Sequence, residues 1–129
     1  MQFLKKSLGQ NFLIDKNVIK KIINSVQIKN KNIIEIGPGK GALTKEILKK
    51  DPKSFLLIEK DDRLSKILKD QFFGKKKINI VNQDVLKFNF SKIKKKSIIF
   101  GNLPYNISSQ ILVKIIKLKG LSSKCSDII

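Results

Sequence analysis

Apolar residues fall along this chain in two alternating rhythms. Consecutive runs at Asn32-Ile33-Ile34-Glu35-Ile36, Ser54-Phe55-Leu56-Leu57-Ile58 and Ser97 to Phe100 have the length and β-branched content of strands buried on both faces. Ile78-Asn79-Ile80-Val81 is a shorter, more polar run, which suits the edge of a sheet. Between the runs, apolar residues recur at helical spacing: Val18, Ile19, Ile22, Ile23 and Val26; then Leu43, Ile47 and Leu48; then Leu64, Ile67 and Leu68; then Ile111, Leu112, Ile115 and Ile116. Asp15 can cap the first helix and Asp61 or Asp62 the third, while Asp51-Pro52 ends the second, because proline disfavours helix in the residue before it. Lys87 to Lys96 fits neither rhythm and is a basic, Phe-bearing linker without an assigned structure. Strands alternating with helices predict an α/β fold with a parallel sheet. With strand order 3-2-1-4, the crevice for a ligand lies between the carboxyl ends of the first and fourth strands.

The chemically distinctive residues sit at those strand ends. Gly37-Pro38-Gly39-Lys40-Gly41 follows the first strand and leads into a helix, the order of a nucleotide site, where glycines let backbone approach a ligand. Its spacing is G-x-G-x-G, not the dinucleotide form G-x-G-x-x-G, and it has no Gly-Lys-Ser/Thr for a triphosphate. Glu35, just before it, is read as a negative charge facing the loop, suited to a cationic ligand. Glu59 closes the second strand about twenty residues beyond the glycines, placed to accept from both hydroxyls of a ribose. Asp84 and Val85 follow the third strand, where the carboxylate can accept from an adenine amine while Val85 covers the ring; an Asp capping a turn is the commoner use of such a residue. Gly101-Asn102-Leu103-Pro104-Tyr105 follows the fourth strand with acceptors and a flat ring, fit either for a planar nitrogen base or for an ordinary turn.

Composition narrows the chemistry further. With 129 residues and 41% hydrophobic content, the chain makes one domain with a modest core. An excess of 28 basic over 10 acidic residues, net +18, points to a polyanion, and nucleic acid is preferred to an anionic membrane surface. Arg63 is the sole arginine, and a chain this rich in Lys, Asn and Ile also reflects codon bias, so the charge alone does not establish binding. Absence of histidine excludes histidine bases, triads and His metal sites; the single Cys125 makes no internal disulfide or zinc cluster. No apolar run reaches signal-peptide or membrane-spanning length, so a cytoplasmic location is expected.

Taken together, Lys6 to Leu13, Glu35 to Thr44, Glu59, Gln83-Asp84-Val85 and Asn102-Leu103-Pro104-Tyr105-Asn106-Ile107-Ser108 resemble the small-subunit (16S-type) ribosomal RNA adenine dimethyltransferases, in family order over nearly the whole chain. The resemblance implies a Rossmann-like class I S-adenosylmethionine-dependent methyltransferase fold. It implies transfer of methyl groups from S-adenosylmethionine to the N6 amine of adjacent adenines near the 3′ end of small-subunit rRNA. Gln10, Asn11 and Leu13 would border the methionine end, with Gly37 and Gly39 approaching it through backbone. Glu59 would hold the ribose, Asp84 and Val85 the adenine, and Asn102 would link cofactor to target, with Asn102, Pro104 and Tyr105 as catalytic residues. The implied partner is the immature small ribosomal subunit, with no metal and no membrane, and the implied state is a monomer.

Family members are about twice as long, with three further strands and a helical domain. Residues 1–129 are therefore expected to be the amino-terminal part of the catalytic domain, truncated after the fourth β-α unit, with Ser126 to Ile129 beginning a fifth strand. That reading leaves an unpaired edge on the fourth strand and predicts weak or absent activity for the isolated chain. Alternatives are a methyltransferase-fold RNA-binding or assembly factor without turnover, and a large-subunit rRNA adenine methyltransferase. DNA-adenine and protein-glutamine methyltransferases usually carry Asn/Asp-Pro-Pro-Tyr, and Leu103 argues against them.

Overall fold

Every apolar run read as a strand forms one, and all of them pair in parallel. The computed structural model describes residues 16–93, 96–101 and 125–128. In it, β1 (Asn32–Ile36), β2 (Ser54–Glu59), β3 (Ile78–Asn82), β4 (Ser97–Gly101) and β5 (Cys125–Ile128) form one sheet of order β3-β2-β1-β4-β5. The helices α1 (Lys16–Asn24), α2 (Ala42–Lys49) and α3 (Asp62–Gln71) fall between or before the strands as the periodicity requires. The order 3-2-1-4, on which the placing of the crevice was conditional, is found, and β3 lies on an edge as expected. Asp15 and the helix expected after Ile107 lie outside the described residues.

β4 does not have the open edge expected for it. Ser97, Ile98 and Ile99 register with Cys125, Asp127 and Ile128 of β5, with one irregular step between Ser97 and Ile98. Even four residues supply a ladder for backbone groups that would otherwise lack protein partners.

Burial of both sheet faces explains why the strands read as unbroken apolar runs. On one face, Ile33, Phe55, Leu57, Ile98 and Phe100 pack with Ile19 and Ile23 of α1, Leu43 and Ile47 of α2, and Leu68 of α3. Ile34, Ile36, Ile58 and Ile99 occupy the other face, covered by Val85, Phe90 and Ile93. The segment left unassigned between β3 and β4 therefore has a structural role. It forms short 3₁₀ turns at Val85–Lys87 and Phe90–Lys92, buries Phe90, and stacks Phe88 edge-on against it at 5.1 Å. Periodicity missed it because a 3₁₀ turn is too short to show a repeat.

Local chemistry sets the helix ends. Asp61 caps α3, its Oδ1 accepting from the N–H groups of Arg63 (2.9 Å) and Leu64 (3.0 Å). Asp51 adopts a left-handed φ of 58° before Pro52, and ends α2 by leaving helical geometry.

Candidate active site

The turn after β1 takes its shape from alternate glycines. Gly37, Gly39 and Gly41 have φ of 69°, 60° and 86°, a region that other L-residues enter at about 1–2 kcal/mol each. The Gly37 N–H donates to the Ile58 carbonyl (2.9 Å) and the Gly41 N–H to the Pro38 carbonyl (2.9 Å), which pins the turn over the ends of β1 and β2. Gly41 also lacks room: a Cβ there would lie 3.3 Å from Leu68 and 3.4 Å from Phe72. The G-x-G-x-G spacing is thus explained by conformation at every glycine and by packing at the last.

Glu59 ends β2 directly beside this turn. Its Oε1 accepts from the Gly39 N–H at 3.0 Å and its Oε2 from the Asp61 N–H at 2.9 Å, so one buried carboxylate clamps the glycine turn to the start of α3. Burial raises its pKa, opposed by those backbone N–H groups, which favour the charged form. Each oxygen accepts one bond within the protein and keeps acceptor capacity for a donor outside it.

Glu35 differs from its expected role. It is not a charge presented to the loop: the carboxyl is 1% exposed, and its Oε1 accepts from the Thr44 hydroxyl of α2 at 2.6 Å. Burial, set against that hydrogen bond and helped by the nearby Glu59, pushes its pKa up to about 8, so the carboxyl is mostly protonated at neutral pH. Among the described residues, Glu35 Oε2 is one of two buried side-chain polar atoms without a partner, with the Ser65 hydroxyl.

Asp84 follows β3, where its Oδ1 accepts from the Leu86 N–H at 3.0 Å and its Oδ2 lies 3.9 Å from Lys60 Nζ. It therefore does what its residue type does most often, capping a turn, while Val85 is buried beside it. At β4, Gly101 registers with Ile36, so the chain leaves β4 level with the start of the glycine turn. The candidates Gln10, Asn11, Leu13, Asn102, Pro104 and Tyr105 lie outside the described residues. Thr44 and Asp61 were not singled out for the site in the sequence; a buried Thr one turn into the helix after a glycine loop was the available signal for the first.

Glu59 at the glycine turn and Asp84 after the neighbouring β3 are acceptors at adjacent strand ends, and Glu35 is a buried carboxyl on the strand that leads into the turn. That set suits a ligand bearing hydroxyls and positive charge better than a polyphosphate. Among the described residues no group of three or more His, Cys, Asp or Glu is placed to hold a metal, and no helix is long and apolar enough to cross a membrane.

The turn conformation yields a first test. Gly39→Ala is expected to lower stability by about 1–2 kcal/mol through strain at positive φ. Gly74→Ala, at φ 85° in an open turn with nothing within 4 Å of a Cβ, should show similar strain. Only the Gly39 variant should also weaken ligand binding at the Glu59 clamp, by denaturant titration and calorimetry; equal effects on binding would remove the special role of Gly39.

A parallel sheet of this order, with its glycine turn after β1 and an acid closing β2, defines a Rossmann-like class I methyltransferase fold. Solved structures agree. The 23S rRNA methyltransferase ErmE superposes with a TM-score of 0.70 at 26% identity, over 86% of this chain and 43% of that one. A dimethyladenosine transferase from Plasmodium falciparum gives 0.66 at 30% identity, over 78% of this chain and 36% of that one.

The ribosomal RNA adenine dimethylase family model matches residues 1–127, and the chain belongs to that family. It is 53% identical over 111 residues to ribosomal RNA small subunit methyltransferase A of Pelagibacter ubique, covering 85% of this chain and 42% of that relative. The protein of the same name from Malacoplasma penetrans is 45% identical over 123 residues, with 93% and 44% covered. The chain thus spans less than half the length of these relatives.

Proposed function

We propose that this chain carries the cofactor-binding and target-binding elements of an enzyme that dimethylates adjacent adenines at N6 near the 3′ end of small-subunit rRNA, using S-adenosylmethionine. The observation that carries the reading is the Glu59 clamp, a buried carboxylate joined to the Gly39 N–H at the carboxyl end of β2 and facing the switch point between β1 and β4. Family membership and the names of the small-subunit relatives support the RNA substrate.

The residues fit the cofactor. Glu59 has acceptor capacity for two ribose hydroxyls, and Glu35 holds an unpartnered buried oxygen able to charge beside a cation. Gly37 and Gly39 leave backbone unobstructed for the methionine portion, which Gln10, Asn11 and Leu13 would border. Asp84 and Val85 would read the adenine edge and cover its ring. When bound, the cofactor supplies an activated methyl group on a sulfonium.

The remaining chemistry belongs to the target adenine. Its N6 lone pair is delocalised into the ring, so acceptors on both N–H bonds favour a more pyramidal, more nucleophilic nitrogen. Asn102 through its side-chain oxygen and Pro104 through its carbonyl would be those acceptors, and Tyr105 would stack on a base taken out of its RNA context, worth roughly 1–3 kcal/mol. A strong base is not required, since alignment with an activated donor supplies much of the rate advantage. The setting proposed is a cytoplasmic monomer acting on immature small subunits without a metal.

The test is transfer of labelled methyl groups to unmethylated small-subunit particles by a chain extended to the length of its relatives, followed by mapping of the modified base. Dimethyladenosine near the small-subunit 3′ end is the expected product. Methylation of large-subunit RNA, or cofactor binding without turnover in the extended chain, would overturn the reading. The isolated 129 residues are expected to transfer little or nothing under the same conditions.

A further inference from the structure

The end of the sheet opposite the glycine turn has a basic character that methyl transfer does not use. Lys53, Lys76, Lys77 and Lys92 line a cleft of about 530 Å³ at the amino ends of β1, β2 and β4, with Phe55 and Ile93 among its apolar lining. Lys77 is paired with Asp51, but Lys53, Lys76 and Lys92 have no carboxylate partner among the described residues. The cleft therefore presents uncompensated positive charge. Phe73 lies in the α3–β3 turn three residues before Lys76 and is 88% exposed, the most exposed large apolar side chain among the described residues. Three residues of chain reach at most about 10 Å, so the Cα atom of Phe73 lies within that distance of the Cα atom of Lys76 at the cleft rim. Gly74, at φ 85°, turns the chain between them.

An isolated exposed aromatic needs no explanation, and neither does a surface lysine. Their juxtaposition has the two parts of a single-strand site: cations that follow phosphates, and a ring on which a base stacks without regard to its identity. A protein partner fits less well, because an interface would have to desolvate the unpaired lysines.

We infer that the basic cleft at the strand amino ends, with Phe73 beside it, is a second RNA-binding site that takes an unpaired segment distinct from the target adenines. The proposal rests on the rRNA substrate argued above and extends it. Strands of this length separate the two ends of the sheet by about 15–20 Å. An enzyme holding RNA at both ends would engage two segments of one folded substrate, so that recognition depends on their spacing as well as on the target bases.

The test is fluorescence anisotropy of the chain with a labelled, unstructured oligouridylate across a salt series, with calorimetric binding of S-adenosylmethionine on the same samples. Phe73→Ala is expected to weaken RNA binding about 5- to 100-fold, as loss of one stacked base would. Phe73→Trp should retain binding and Phe73→Leu should behave like alanine, because stacking needs a ring and not merely apolar area. The triple variant Lys53→Gln, Lys76→Gln, Lys92→Gln should reduce the slope of log affinity against log salt by about 2, near 0.7 for each phosphate no longer neutralised. Cofactor binding should not change in any of them. RNA affinity unchanged in both the Phe73→Ala and triple-lysine variants, with cofactor binding intact, would overturn the second site and leave the proposed function standing. Loss of self-association in Phe73→Ala, with RNA binding unaffected, would overturn it in favour of a protein contact. RNA binding that depends on Phe73 in a chain without cofactor affinity would uphold the site and count against the methyltransferase reading.

Discussion

Glu59→Ala is expected to weaken S-adenosylmethionine binding by at least about 100-fold, because it removes an ionised acceptor whose bonds to two ribose hydroxyls are each worth roughly 1.5–3 kcal/mol. The same change leaves the Gly39 and Asp61 N–H groups without their acceptor, at about 1–3 kcal/mol for each that stays dry, so the fold also loses stability. Glu59→Gln separates these effects. Its amide oxygen can accept from one backbone N–H, but its NH₂ group cannot accept from the other. The glutamine variant should therefore keep more stability than the alanine variant, yet bind cofactor nearly as poorly, since a single neutral acceptor replaces a carboxylate. Calorimetry together with urea unfolding reads both quantities. Cofactor affinity in Glu59→Gln close to that of the unmodified chain would remove Glu59 from the ribose site.

The second large effect is a pH dependence centred on Glu35. Unfolded, this carboxyl titrates near 4.5; folded, burial holds it protonated up to about 8. Between those values the folded chain binds more protons than the unfolded one, so the stability associated with neutral Glu35 is complete below pH 4.5 and is lost as pH rises through 8. At roughly 1.4 kcal/mol for each unit between the two states, the loss is on the order of 5 kcal/mol by pH 8. Glu35→Gln stays neutral and still offers an oxygen to Thr44, so its unfolding midpoint should fall much less between pH 5.5 and 8.5. Cofactor binding should follow the opposite course. If the ionised carboxyl is the form that holds a cationic ligand, binding releases a proton, and affinity at pH 6 should be about 50-fold weaker than at pH 8. In Glu35→Gln that pH dependence should vanish. Parallel pH profiles for the two proteins, in both unfolding and binding, would show that Glu35 does not titrate in this range.

These expectations draw unequally on what could be read before the fold was known. The strands and helices were legible because strands buried on both faces must be apolar throughout, whereas helices against one face need only a stripe. The glycine turn was legible because alternate residues at positive φ leave glycine as the low-strain choice. Glu59 stood out because an acid closing an otherwise apolar strand has few structural uses. Phe90 did not stand out: a linker that covers a core through brief 3₁₀ turns has no period to detect.

By itself, then, the sequence determined the α/β class, the family motifs and the acids assigned to the ligand, since each depends on local pattern or on residue type at a strand end. Only tertiary structure decided the state of those acids. Glu35 is neutral because the surrounding core desolvates it, against the Thr44 hydroxyl that favours its charged form, and Glu59 is tied to Gly39 across twenty residues of chain. Pairing of β5 with β4 and the approach of lysines from separate loops to one cleft were likewise invisible in sequence. Charge and hydrogen bonding depend on which distant groups come within a few ångströms, and a linear pattern does not contain those distances.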